Sequence, residues 1–252
     1  MDKKIDLSVI IITKNEAENI GDCIKSVKQL EPQEILVIDD NSSDETREIA
    51  LKQNVKICLY QKKDFADIRN YGAKQANCKW ILYIDADERL TPEIVINIKD
   101  AIQNDSFSAY KICRLNYYLG KKWPRVEYLE RLMQKSKLNY WFGQVHETPN
   151  ISGKIGTISG QIEHFTHKSI TEMVANTIIW SKIEANLRFQ AKHPKISWWR
   201  IPRVMIPVFW EYYLNQGGWK VGTVGLIESI YQAFSIFITY ARLWEMQQNQ
   251  NN

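Results

Sequence analysis

The strongest constraint on the fold lies in the first ninety residues, where short apolar runs alternate with stretches of helical spacing. LSVIII (7–12), EILVID (34–39), a short run near Val55 to Leu59, and WILYID (80–85) read as strands. Between them, Glu16 to Gln29, a segment begun by Ser42 or Ser43, and Arg69 to Ala76 carry the spacing of amphipathic helices. Strands that are apolar on both faces and separated by helices predict a mostly parallel sheet covered on both sides, in the Rossmann-like α/β manner. Ligands bind such sheets at the carboxyl ends of the strands. The polar clusters fall there: TKNEAEN after the first run, DDNSSDET after the second and DADE after the fourth.

TPEIVINIKDAIQND (91–105) adds a helix with Thr91 as N-cap and Pro92 in its first turn. SAYKICRLNYYLG and YLERLMQ read as further strands, and Gly143, Gly153, Gly156 and Gly160 then predict a loop-rich region. From Ser169 onward the chain reads as long aromatic-rich helices. Two regions follow, 1–168 as the α/β domain that carries the polar clusters and 169–252 as a C-terminal helical extension.

The 252 residues are 44% hydrophobic and 25% charged, which excludes a disordered chain, and a formal charge of +4 gives no reason to expect a nucleic-acid partner. Cys23, Cys58, Cys78 and Cys113 lack CxxC spacing, so reduced core thiols are expected rather than a disulfide framework or a zinc site. Leu7 to Ile12 is too short for a signal h-region. No stretch of 18 uninterrupted apolar residues occurs, so no ordinary membrane span is expected. Between Arg188 and Lys220, six basic residues and one acid, Glu211, are interleaved with Trp and Tyr. That mixture suits a helix lying on a membrane surface, or alternatively a helical pair packed on the rest of the protein or on a second subunit.

Asp85 and Asp87 raise the central chemical question. Two carboxylates one residue apart repel each other unless a cation is near, and hard divalent ions such as Mn or Mg prefer oxygen ligands. A metal at the end of a parallel strand can hold a diphosphate and neutralise charge on a departing phosphate. With TKNEAENI, VIDDNSSDET and ADIRNYGAKQA preceding it in order, YIDADE resembles the DxD motif of the inverting family 2 glycosyltransferases of the GT-A fold. FGQVHET, QIEHFTHKS and the aromatic tail look like the branch that builds lipopolysaccharide core and related surface glycans.

The resemblance implies roles residue by residue. Asp39 would contact the uracil or ribose of a nucleotide-sugar donor, with Thr13, Asn15 and Glu16 framing the nucleoside; Asn15 and Glu16 serve equally well as helix caps. Arg69 would meet the donor diphosphate, its ordinary alternative being a surface ion pair with Asp67 or Asp64. Asp85 would face the ribose or the metal's water shell, and Asp87 would ligate Mn or Mg directly, with His164, or His167 in its place, completing the site. Glu88 is expected to support the loop. Glu147 in QVHET matches the general base; relatives more often have Glu-Asp, so His146 stays a second candidate.

The expected activity is metal-dependent transfer of a sugar, from a UDP-sugar in the favoured case, to a lipid-linked glycan such as lipopolysaccharide core. The expected place is the cytoplasm, at the inner face of the membrane. A non-catalytic nucleotide-sugar-binding scaffold is the alternative. A nucleotidyltransferase is disfavoured because TKNEAEN has no glycine before Gly21.

Overall fold

A computed structural model describes residues 4–104, 106–144 and 147–249. The chain divides into two compact units, one of Met1–Leu115 and Glu127–His164, the other of Asn116–Val126 and Phe165–Asn252.

The first unit is built on four parallel strands: β1 (Ile5–Thr13), β2 (Pro32–Asp39), β3 (Lys56–Leu59) and β4 (Trp80–Asp85). They lie in the order β3-β2-β1-β4. Alternation along β1 explains its unbroken apolar sequence. Val9 and Ile11 enter one core with Ile20, Ile24 and Val27 of helix α1 (Ala17–Lys28). Ile10 and Ile12 enter the opposite core with Leu36, Ile38 and Ile68. The register sets Thr13 beside Asp39 and Ile12 beside Asp85. The carboxyl ends of β1, β2 and β4 therefore share one edge.

Beyond α4 (Pro92–Gln103), which Thr91 caps by accepting from Ile94 N–H, come β6 (Ala109–Tyr118) and β7 (Lys121–Gln134). The region expected to be loop-rich is largely extended instead. β8 (Leu138–Phe142) pairs with β9 (Thr148–Ile151), and β10 (Ile155–Thr166) joins the main sheet. Gly160 lies inside β10 at φ 90°, with Ile94 so close that a Cβ would sit 3.0 Å from its nitrogen.

A further strand also had no counterpart in the sequence reading. β5 (Glu88–Leu90) pairs antiparallel with β10, Glu88 opposite His164 and Leu90 opposite Ile162. Three residues are too few for a periodicity signal, and their partner lies more than seventy positions away.

Two helix starts differ from expectation. The second helix, α2, spans Thr46–Leu51, because Ser42 and Ser43 are held in the preceding loop by the Asn15 backbone N–H and side chain. The third, α3 (Phe65–Gln75), begins four residues before Arg69, where Asp64 accepts from Asp67 N–H as its cap. Gly72 lets α3 lie against the sheet, since a Cβ there would come within 2.8 Å of Ile10.

The second unit contains α5 (Ile170–Gln190), capped by Ser169, together with α6 (Arg200–Trp210) and α7 (Thr223–Asn249). Ala185, Ile196, Tyr240 and Leu243 form its small core. α7 is long and apolar enough to cross a membrane by length and composition, and a third of its apolar window is buried inside the protein. No unbroken apolar run marks this helix in the sequence, because polar residues interrupt it, among them the buried Glu228 and Ser229. All four cysteines are free; Cys23 and Cys78 are buried, while Cys58 and Cys113 are half-buried and so fill the core less completely than expected.

Candidate functional site

The edge shared by β1, β2 and β4 gathers most of the polar residues singled out in the sequence. After β1 the chain turns through Asn15, at φ 53°. Here it is stitched to the loop after β2: Asn15 N–H donates to Ser42 Oγ at 2.9 Å, Asn15 Oδ1 accepts from Ser43 N–H at 2.8 Å, and Glu16 N–H donates to Thr46 Oγ1 at 2.8 Å. Ala17 N–H, one of the unpaired donors at the start of α1, donates to Asp44 at 3.1 Å. The second loop thus caps the first helix.

Asp39 is fully buried and accepts from Ser42 N–H at 2.7 Å, with Arg47 at 4.0 Å. Thr13, paired with it across the strands, has a buried hydroxyl with no hydrogen-bond partner among the described residues. Asp40 accepts from Lys62 N–H at 3.1 Å and from Lys14 Nζ at 3.1 Å. Burial opposes its ionisation, but these bonds and the two lysine charges outweigh it, so its carboxyl is held below the ordinary value.

Arg69 on α3 does not form the surface pair with Asp64 or Asp67 that was its ordinary alternative. It is 5% exposed, donates from Nε to Glu147 Oε1 at 2.7 Å, and reaches Asp85 Oδ1 from Nη2 at 3.1 Å. Its Nη1 is buried with no partner among the described residues. The Trp141 ring lies 5.1 Å from its guanidinium carbon. The candidate base and the candidate diphosphate ligand are thus in direct contact, although 78 residues separate them.

Asp85 is gripped from a second side by Arg131 Nη2 at 2.7 Å, and the same atom reaches Glu88 Oε1 at 2.7 Å. Burial would raise the Asp85 pKa, but Arg131 and then Arg69 reverse this and hold it well below the carboxylate range. Burial dominates at Glu88 and raises it. Glu88 closes the turn by accepting Asp85 N–H at 2.9 Å, the supporting role expected of it. Arg114 lies 3.5 Å from Glu88.

Arg131 and Arg114 were not singled out in the sequence. They sit within strand-like runs, and the signal that was there to read is a cation amid the buried tail of β7, which requires a buried carboxylate partner.

With both Asp85 oxygens engaged by guanidiniums, Asp87 is the carboxylate of the pair that turns elsewhere. Asp87 Oδ2 lies 3.0 Å from His164 Nε2, a meeting produced by the pairing of β5 with β10. Among the described residues no cluster of three or more metal-ligating side chains occurs. Two protein donors nevertheless suit a Mg or Mn ion that takes its remaining ligands from substrate phosphates. The orphaned Arg69 Nη1 is an anion-seeking group on the same edge. The residues present therefore fit a metal held together with a diphosphate. His167, the alternative to His164, is committed within the second unit, where its Nδ1 lies 3.0 Å from the buried carboxylate of Glu228. His146 lies outside the described residues.

Comparison with known proteins bears on what this edge does. The model of glycosyl transferase family 2 matches residues 8–166. An uncharacterized glycosyltransferase of Rickettsia bellii (strain RML369-C) is 31% identical over 95% of this chain and 86% of its own length. The lipopolysaccharide core biosynthesis glycosyltransferase LpsC of Rhizobium meliloti (strain 1021) is 25% identical over 96% of this chain and 93% of its own. Among solved structures, S. aureus TarS 1-349 in complex with UDP-GlcNAc is similar in fold, with a TM-score of 0.52 at 13% identity, covering 98% of this chain and 92% of that one.

Proposed function

The chain belongs to glycosyl transferase family 2 and is a transferase; on that premise we propose that it is a metal-dependent inverting enzyme that moves a sugar from a UDP-sugar to a lipid-linked glycan such as lipopolysaccharide core. The observation that carries this reading is the contact of Arg69 with both Asp85 and Glu147, beside the Asp87 and His164 pair. One guanidinium thereby links the donor edge of the sheet to an acid on the acceptor side.

In this reading residues 1–168 bind the donor and carry out transfer. Asp39, Thr13, Asn15 and Glu16 frame the nucleoside, Thr13 offering its unpartnered hydroxyl. Arg69 receives the diphosphate. Asp87 and His164 would hold Mn or Mg, which supplies charge neutralisation to the leaving diphosphate. Asp85 would orient Arg69, since both its oxygens lie against guanidiniums.

Glu147 takes the proton from the acceptor hydroxyl as its oxygen attacks the anomeric carbon, and the bond to the diphosphate breaks. Arg69 stabilises the negative charge that develops there. A single displacement inverts the anomeric configuration and needs no sugar bound covalently to the enzyme.

Residues 169–252 form, in the same reading, an extension that meets the inner face of the cytoplasmic membrane. Trp198 is 83% exposed, Trp199, Ile206 and Trp210 are exposed in part, and Arg200 and Arg203 stack on Trp199. Indole beside guanidinium suits the headgroup layer of an anionic bilayer.

The test is to incubate the full chain with Mn and a panel of UDP-glucose, UDP-galactose and UDP-N-acetylglucosamine, with and without a truncated lipopolysaccharide core acceptor, and to measure UDP release. Acceptor-dependent, Mn-dependent release from one donor supports the assignment. Donor binding without release under every condition would instead mark a scaffold.

A further inference from the structure

We propose that Asn70 is a positioning residue for the transfer step, clamping the segment that carries Glu147 to the helix that carries Arg69. This rests on the assignment of Glu147 as the base. Asn70 Nδ2 donates to the Trp141 carbonyl at 2.9 Å, and its Oδ1 accepts the Trp141 backbone N–H at 2.8 Å. An amide side chain that satisfies both polar groups of one residue substitutes for a missing neighbouring strand. It therefore ties β8 to α3 across a sequence separation of 71.

What it ties down is the approach to the base. Trp141 pairs with Pro149 and Phe142 with Thr148 of β9, and Glu147 is the residue directly before that strand. The indole of Trp141 is buried, set edge-on to Tyr83 with ring centroids 5.0 Å apart, and flanks Arg69. Tyr83 in turn donates its hydroxyl to the Arg69 carbonyl at 3.0 Å. Consecutive residues of α3 thus hold the acceptor-side segment at two points, Arg69 at Glu147 and Asn70 at Trp141. Without the Asn70 bonds, the β8–β9 pair that adjoins Glu147 loses its tie to α3 at Trp141, and Glu147 keeps the Arg69 contact, which must be shared once a diphosphate enters. Arg69 itself keeps its bond to Asp85, which Asn70 does not touch.

The experiment is a double-mutant cycle on the full chain, using the UDP-sugar panel and acceptor named above: wild type, Asn70→Ala, Glu147→Gln and the double variant. Because misplacing a reacting group by about 1 Å costs on the order of 10²-fold, Asn70→Ala is expected to lower kcat by about 10 to 100-fold, with donor KM within about two-fold of wild type. The double variant is expected to be no slower than Glu147→Gln, since residues that act as a unit do not add.

A normal kcat for Asn70→Ala, a rise in donor KM that matches the fall in kcat, or a double variant slowed by the product of the single effects overturns the proposal. If Glu147→Gln turns over normally, the base assignment falls and the proposal with it. If Glu147→Gln is slow and Asn70→Ala is normal, only the proposal falls. Should Asn70→Ala fail to fold, Asn70→Asp, which keeps the acceptor for Trp141 N–H and loses the donor, goes through the same cycle.

Discussion

Glu88 accepts the backbone N–H of Asp85 at 2.9 Å while its other oxygen shares one Arg131 nitrogen with the Asp85 side chain. The turn that presents the acidic pair is thus closed by a fully buried carboxylate, itself held by a buried cation. Removing one partner of a buried pair leaves a charge uncompensated, so Arg131→Met should cost about 3 to 5 kcal/mol in urea unfolding. A loss no larger than the roughly 1 kcal/mol of an exposed ion pair would contradict this account.

On the proposed reading Asp87 serves ligand binding more than folding; its described side-chain contact is with His164. Asp87→Ala should unfold at nearly the wild-type temperature yet lose Mn-dependent binding of a UDP-sugar in calorimetry. Undiminished Mn-dependent binding would remove it from the metal site.

Glu147→Gln should preserve donor affinity, since Arg69 retains Asp85, and reduce turnover by roughly 10²-fold or more, the typical contribution of a positioned base. Steady-state kinetics on the preferred donor decide this. Turnover near wild type would move the role to another group, His146 first.

Asp40 supplies a dependence on pH. Its carboxyl is held below the ordinary value by the Lys62 N–H and by the Lys14 and Lys62 charges, which together outweigh burial. An acid whose pKa is lower folded than unfolded adds stability at higher pH, and that stability is lost as pH falls from about 4 through the folded value. Asp40→Asn should therefore unfold at a lower temperature than wild type near neutral pH, and the gap should close in acid. A gap that stays constant from neutral to acid pH would rule out the ionic contribution.

For the helical extension, Arg200 and Arg203 changed together to Glu should weaken sedimentation with vesicles rich in phosphatidylglycerol while binding of the UDP-sugar stays unchanged. Equal sedimentation of the two proteins would favour packing against protein for the aromatic face.

The parallel half of the sheet could be read from the sequence because both of its faces are buried, so β1, β2 and β4 appear as unbroken apolar runs. Asp39 and Asp85 were legible because they stand at the ends of those strands, and Arg69 through the resemblance carried by ADIRNYGAKQA. Arg131 and Arg114 were not, because one or two charges inside a strand do not disturb a hydrophobic pattern, and the carboxylates they serve lie on distant segments. The meeting of Asp87 with His164 was expected from family resemblance alone; its physical cause, the three-residue β5, leaves no periodic trace. The Asn70 clamp was equally hidden, because a side chain bonded to backbone depends on no pattern at its partner, Trp141.

The absence of a side chain at Gly72 sets how low α3 sits on the sheet. With Ile10 2.8 Å from where a Cβ would stand, α3 rests on β1 as closely as atoms permit, three residues downstream of Arg69. The height of that guanidinium is thereby fixed by the thickness of one isoleucine. On the proposed reading a bulkier substrate would be accommodated by the loops that follow the strands, because the helix is already seated as low as it can go.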